Sequence, residues 1–366
     1  MKSVRFLMIG GFLGAGKTTT IGRLAQHYTD QGLNVGIVTN DQAYDLVDTH
    51  TLRSQGFQVG EVPGACFCCK FDDLVQTING LSEDQSPDVV IAEPVGSCTD
   101  LFATVIQPMR ELLGDRIELG PLVVLLKPEH GKKILGVTKG RGFSPKAEYI
   151  FLKQLEEADV IAINKIDNLS AEEQDMLLAR IQERFEGVPA FGMSAREGSG
   201  FEALVDAAAR EPVKRAMTMA MDYETYAEGE AELGWLNCQV TAKAEDKIDL
   251  DRLVLDLVKG IGEELVGLGC EVAHLKILGQ TLNDTAVANL VGSSADSELS
   301  LASEIQTQAC DLLVNARVAA SPEQLEAAVG NVTTSISDER AIELVVGNMQ
   351  SFRPAKPEPT HRVEEL

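Results

Sequence analysis

GGFLGAGKTTT, residues 10–20, follows an apolar stretch of strand length, Val4–Ile9, and leads into a helical pattern beginning near Thr18. Strand, glycine-rich turn and helix in that order, with the spacing GxxxxGK(S/T), build a phosphate-binding loop. Gly11, Gly14 and Gly16 let backbone N–H groups wrap phosphate oxygens without side-chain interference, and the helix N-terminus adds positive partial charge. Lys17 is expected to reach the outer phosphates as a catalytic group and the Thr18 hydroxyl to ligate Mg²⁺, with Ala15 and Thr19 completing the nucleotide contacts. A bare glycine-rich turn is the plain alternative, and the lysine, the threonine and the flanking strand argue against it.

Working outward, VIAINKIDNLS places Asn164-Lys165-Ile166-Asp167 at the end of a buried strand, Val160–Ile163. Asp167 is expected to accept hydrogen bonds from the guanine N1–H and amino group. Adenine offers neither and would leave the carboxylate unpaired, so GTP is favoured over ATP. FGMSAREGSG supplies Ser194-Ala195-Arg196, similar to the loop that supports a guanine carbonyl through backbone N–H. Between them, PDVVIAEPVGSCTD is a strand ending in Glu93, placed to hold the Mg²⁺ shell or the water near the γ-phosphate. Here the motif reads ExxG, Glu93 to Gly96, where most GTPases have DxxG. VGIVTNDQAYDLVD is another buried strand running into Asn40 and Asp41, and Asp41 is the candidate Mg²⁺-shell or switch residue; a solvated loop acid is its alternative.

A length of 366 residues points to two domains. The hydrophobic fraction of 44% and charged fraction of 24% are those of a soluble globular protein, and no apolar run approaches a membrane span. With 32 Lys and Arg against 56 Asp and Glu the net charge is −24, which disfavours nucleic acid and anionic membrane as partners. The basic, apolar N-terminus leads into the phosphate loop rather than a cleavage site, so the expected location is the cytoplasm. Seven cysteines, an odd number, and a reducing compartment disfavour a disulfide scaffold.

Three of those cysteines, Cys66, Cys68 and Cys69, fall within four positions of GEVPGACFCCKFDD. Thiolates are soft ligands suited to Zn²⁺ and its neighbours, and a loop after Pro63-Gly64 can converge them on one ion. Three ligands leave a fourth position open, to be completed by a partner or by a second subunit of a homodimer. A redox-active thiol cluster or purely structural cysteines are the alternatives. Cys98 is read as a buried small hydrophobe rather than a fourth ligand. The five histidines, His27, His50, His130, His274 and His361, are unclustered, which disfavours metal storage.

The order phosphate loop, ND, CxCC, ExxG, NKxD resembles the CobW/HypB/UreG class of P-loop GTPases over residues 1–212, with CxCC most like the CobW branch. Two departures stand out: Ala65 precedes CxCC where CobW proteins have glycine, and NDQA replaces NEFG, closer to UreG. The resemblance implies a GTP-hydrolysing metallochaperone with GTP and Mg²⁺ as cofactors, and Zn²⁺, Co²⁺ or Ni²⁺ as cargo for a client metalloprotein or cofactor-pathway protein. Rival readings are a GTPase chaperone for a corrinoid enzyme, a GTP-dependent metal or redox sensor that transfers nothing, and a P-loop kinase, which NKxD and the 194–196 loop oppose. With no assignable arginine finger or glutamine, hydrolysis is expected to be slow without the client.

The fold class expected is α/β: a P-loop NTPase with a mostly parallel sheet and helices on both faces over 1–212, then a smaller α+β domain. A linker is expected over 213–232, the second domain over 233–350 with a ferredoxin-like β-α-β-β-α order, and a disordered tail over 351–366 with three prolines. The lysines and arginine after Lys127 form an expected basic loop, and Trp235 is expected in the core.

Overall fold

A computed structural model describes residues 3–43, 46–85, 87–138, 144–213, 218–293 and 296–364. Two compact units emerge: residues 1–42, 56–229 and 356–366 form the first, and 43–55 with 230–355 the second.

The first unit is a seven-stranded parallel sheet: β1 (Val4–Gly11), β2 (Val35–Asp41), β3 (Gln58–Pro63), β4 (Val89–Glu93), β5 (Ile117–Leu126), β6 (Val160–Ile163) and β7 (Ala190–Gly192). The spatial order is β3-β2-β4-β1-β5-β6-β7. Central strands such as β4 are buried at every residue, as both faces of a parallel sheet are covered by crossover helices. Those helices begin where the sequence provides caps. The Ser144 hydroxyl accepts from the Ala147 N–H ahead of Pro145–Glu156. Ser170 and Glu173 form a reciprocal capping box for Ala171–Arg184. Because all strands run the same way, the residues after β1, β2, β3, β4, β6 and β7 emerge at one edge. Along that edge lie the thiols, ND, ExxG, the phosphate loop, NKxD and the 194–196 loop, in that order.

The second unit is a six-stranded antiparallel sheet of β8 (Gly234–Asp249), β9 (Val272–Gln280), β10 (Thr285–Leu290), β11 (Glu298–Leu301), β12 (Gln306–Val318) and β13 (Ile342–Phe352). Its order is β11-β10-β9-β12-β8-β13. Stripped of the β10-β11 extension, this is the split βαβ arrangement, with helices Leu250–Gly267 and Pro322–Arg340 as its crossovers. Leu253, Leu257, Ile261 and Leu265 on the first helix are fully buried in this core, each contributing about 1.5–3 kcal/mol of apolar burial. Trp235 is buried as expected, under the Arg317 guanidinium at 4.1 Å. The helix Val47–Ser54, although it lies between β2 and β3 in sequence, belongs to this unit. Val47 packs with Leu278, Val287 and Leu313, its N–H donates to Asn315 Oδ1 at 2.9 Å, and Asp48 pairs with Lys276.

Two boundaries differ from the sequence expectation. Within the supposed linker, Tyr223–Glu230 is helical, started by the Asp222 carboxylate accepting from Glu224 and Thr225 N–H. Tyr226 is fully buried there, which gives a polar stretch an apolar anchor. The tail differs from the expected disorder over its described residues. Phe352 ends β13, and residues 356–364 pack on the first unit, where prolines lower the entropy cost of an extended strap and Arg362 finds a buried acid. Of the expected basic loop, Lys132 and Lys133 lie instead on the helix Pro128–Ile134, with Lys132 paired to Glu173, and Lys139 and Arg141 lie outside the described residues.

Candidate nucleotide and thiol site

The phosphate loop takes its shape from Gly16, at φ 90°, where an added Cβ would stand 2.4 Å from Asn164 Nδ2. That contact joins the loop to the far end of the sheet. Asn164 Nδ2 donates to the Ala15 carbonyl at 2.8 Å, while its Oδ1 accepts from the Lys165 and Ala195 N–H groups, both at 2.9 Å. One buried amide therefore ties together residues 15, 164–165 and 195. Lys165 sits in the left-handed region at φ 63°, and Asp167 is exposed in the tight turn Ile166–Asn168. Ser194 is buried and Arg196 exposed. The Ala195 N–H, one of the backbone donors of that loop, is engaged by Asn164. Arg23, not singled out from sequence, braces the same loop by donating to the Ala195 and Arg196 carbonyls at 2.7 and 2.8 Å.

At the phosphate end Lys17 is buried and Thr19 exposed. A Cβ at Gly96 would come 3.1 Å from Lys17 Nζ and 2.7 Å from Leu13 Cδ2, so the ExxG segment lies against the phosphate loop and a larger residue there would push these two side chains aside. The Thr18 hydroxyl donates to Glu93 Oε1 at 3.2 Å. Hydroxyl and carboxylate, both oxygen ligands suited to Mg²⁺, thus meet beside the loop. Gly11 and Gly14 also have positive φ.

The structure brings Cys66, Cys68 and Cys69 together, with sulfur separations of 2.8 Å (66–68), 3.3 Å (66–69) and 3.7 Å (68–69). Among the described residues no other group of three or more metal-ligating side chains gathers this closely. Their loop hangs from Asn40, the neighbour of the residue that sequence reasoning chose. Asn40 Nδ2 donates to the Val62 and Ala65 carbonyls at 2.6 and 2.7 Å, and Oδ1 accepts from the Phe67 N–H at 2.8 Å. Asp41 adds a backbone link, its carbonyl accepting from the Gly64 N–H at 3.0 Å.

Hydrogen bonds from Cys68, Cys69 and Cys98 hold the Cys66 thiol well below its ordinary range. The bonds Cys68 makes to Cys66 and Cys69, together with burial, push Cys68 well up, and Cys69 is pushed up to about 11, chiefly by Cys66. A thiolate therefore forms most easily on Cys66, and any cation the cluster took up would displace the remaining protons. The tail straps this cluster. The Glu358 N–H donates to Cys69 Sγ at 3.2 Å, and Thr360 donates to the Cys68 and Cys69 carbonyls at 2.8 and 3.0 Å. His361 packs edge-on against Phe71.

A parallel sheet with a glycine loop after β1, a carboxylate after β4 and NKxD after β6 defines a P-loop protein of the GTPase class. A family model described as the CobW/HypB/UreG nucleotide-binding domain matches residues 5–190, and the chain belongs to that family of P-loop GTPases. Zinc chaperone YeiR of Escherichia coli (strain K12) is 29% identical over 177 residues, 46% of this chain and 49% of YeiR. Zinc chaperone CobW of Sinorhizobium sp is 35% identical over 97 residues, 24% of this chain and 27% of CobW. The match thus spans about half of the first relative and about a quarter of the second. The crystal structure of HypB from Helicobacter pylori in complex with nickel is 19% identical, covers 56% of this chain and 85% of that one, and has a TM-score of 0.41. None of the described helices is long and apolar enough to cross a membrane.

Proposed function

We propose that the protein binds GTP with Mg²⁺ along the edge of the parallel sheet, hydrolyses it to GDP and phosphate, and uses the cycle to hold and release a thiophilic divalent metal for a client. Lys17 meets the outer phosphates; Thr18 ligates Mg²⁺, with Glu93 and Asp41 in its shell and Glu93 beside the attacking water. Asp167 reads the guanine edge while Asn164 and Lys165 frame the base, and the 194–196 loop closes over it. Cys66, Cys68 and Cys69 hold the cargo. Zn²⁺ suits three thiolates, and two curated relatives carry the name zinc chaperone.

The observation that carries this reading is the Asn40 side chain. It suspends the cysteine loop by three hydrogen bonds from the end of β2, next to Asp41, the residue assigned above to the Mg²⁺ shell. A change in β2 that follows loss of the γ-phosphate is thereby handed to the sulfurs. The test is steady-state GTP hydrolysis and equilibrium zinc binding on the full chain. Lys17→Ala abolishes nucleotide binding and leaves zinc bound, while a Cys66/Cys68/Cys69→Ser variant loses zinc and keeps GTP. Zinc binding indifferent to the triple substitution sinks the metal assignment, and GTP affinity indifferent to Lys17→Ala sinks the nucleotide one.

A further inference from the structure

Residues 356–364 have no helix or strand of their own and lie as an extended strap within the first unit, over the thiol loop, the start of the π-helical turn Phe102–Ile106, and residues 218–224. Most of its hold is through main chain. The Thr360 N–H donates to the Cys68 carbonyl at 2.8 Å, the Val363 N–H to the Ala103 carbonyl at 3.0 Å, and the Glu358 N–H to Cys69 Sγ at 3.2 Å. The Thr218 hydroxyl donates to the Glu364 carbonyl at 2.9 Å. Bonds of this kind accept an extended peptide of many sequences, as in other main-chain modes of peptide recognition. Pro357, which is buried, and Pro359 hold such a peptide extended before it docks.

One side chain adds selectivity. Arg362 donates from Nε to Asp100 Oδ2 at 2.8 Å and from Nη2 to the Met219 carbonyl at 3.1 Å, and its guanidinium lies 6.0 Å from the centre of the Tyr223 ring. The Asp100 side chain is 2% exposed, that of Arg362 24%. Asp100 holds φ 64°, uncommon for a residue other than glycine, and the Tyr223 hydroxyl donates to the same carboxylate oxygen at 2.8 Å. A buried carboxylate, a carbonyl and an aromatic face together make a pocket for a guanidinium. Leaving such an acid without its cation is costly. The pocket belongs to the folded body, and only the cation comes from the strap.

Resting on the metal-carrier reading above, we infer that this groove is where a client docks: the client brings an extended segment with an arginine for Asp100, and the chain's own strap is its stand-in. The strap bonds Cys69 Sγ and the Cys68 and Cys69 carbonyls, so a client that is to reach the thiols must first lift it. Whatever lifts it must also fill the Asp100 pocket, and a second arginine does so without leaving the buried acid unpaired at the end of the exchange. Charge points the same way. At the other end of the strap Lys356 pairs with Glu224, so the groove offers an acid at both ends, on a chain of net charge −24 that draws basic segments toward it.

The test uses full-length protein, reduced and free of zinc, titrated with a fluorescent peptide of residues 356–364 and followed by anisotropy. In wild type the strap competes from within the same chain, at an effective concentration of about a millimolar. In Arg362→Ala the strap has lost its anchor, so the peptide should bind this variant at least about tenfold more tightly than wild type. The same peptide carrying Arg362→Ala should bind about tenfold more weakly, a comparison that needs no change in the protein's folded body. Cys69 of the variant should react faster with a thiol reagent than in wild type, and the peptide should slow it again. Peptide binding that is absent, equal in the two chains, or indifferent to the peptide's arginine would overturn the groove. A wild-type dimer that the peptide dissociates would assign the groove to the strap of a second copy and overturn the client. Peptide binding as expected in a protein that takes up no zinc would sink the carrier reading alone and leave the groove standing.

Discussion

Replacing Asn40 by Ala removes the three hydrogen bonds that fix the thiol loop to β2. Each such bond contributes about 1 kcal/mol net, and the cost rises when a buried partner is left unmatched. Phe67 is fully buried, so its N–H loses its acceptor with no water to replace it. The sum is about 3 kcal/mol, which zinc binding must supply to order the loop, so affinity should fall by about 100-fold. Competition against a chromophoric chelator, with GDP-Mg²⁺ bound, measures this directly. Asn40→Asp is the sharper companion. It keeps the acceptor for Phe67 but turns a carboxylate oxygen toward the Val62 and Ala65 carbonyls, so it should be no better than Asn40→Ala. GTP binding should change little in either, since no Asn40 contact described above reaches the phosphate loop. A zinc affinity within threefold of wild type in both variants would refute the idea that Asn40 organises the metal loop.

Three further outcomes are expected. Asp167→Asn should weaken GTP binding by about 2 kcal/mol, roughly 30-fold, and narrow the preference over ATP, read from titration with both nucleotides; an unchanged GTP-to-ATP ratio would remove Asp167 from base recognition. His130 is buried, and burial, then the charges of Lys127, Lys133 and Lys165, holds its pKa well below the ordinary value. The unfolded chain therefore binds the proton that the folded one refuses, and stability should drop by up to about 1.4 kcal/mol per pH unit as pH falls below about 6.5, a slope that His130→Phe should flatten in denaturant titrations. Ending the chain at Ala355 removes the Glu358 and Thr360 bonds over Cys68 and Cys69, so zinc should pass to a chelator at least about tenfold faster in stopped flow, whereas an unchanged rate would deny the tail any part in guarding the thiols.

The phosphate loop, NKxD and CxCC were legible because each is a run of residues whose spacing alone dictates its chemistry. The parallel sheet followed from buried strands alternating with capped helices. What escaped were partnerships between distant segments. In ND the carboxylate of Asp41 drew the functional assignment, yet the amide of Asn40 holds the thiol loop, and only the pairing of β2 with β3 reveals it. That pairing is hidden in sequence by the helix Val47–Ser54, which belongs to the other unit. The tail read as disordered because prolines and charges dominate its composition, but Arg362 meets buried Asp100, and that acid gave no sign of being buried. Burial raises the Asp100 pKa, and the guanidinium with the Tyr223 hydroxyl opposes that rise.

The most direct single test of coupling between nucleotide and metal is the zinc affinity of the full-length protein measured twice, with a non-hydrolysable GTP analogue and Mg²⁺, and with GDP and Mg²⁺. A tenfold or larger difference, about 1.4 kcal/mol of coupling, that vanishes in the Cys66/Cys68/Cys69→Ser variant is expected of a nucleotide-driven metal carrier. Equal affinities in the two states would mean that the thiols and the GTP site work independently, and delivery driven by hydrolysis would be excluded.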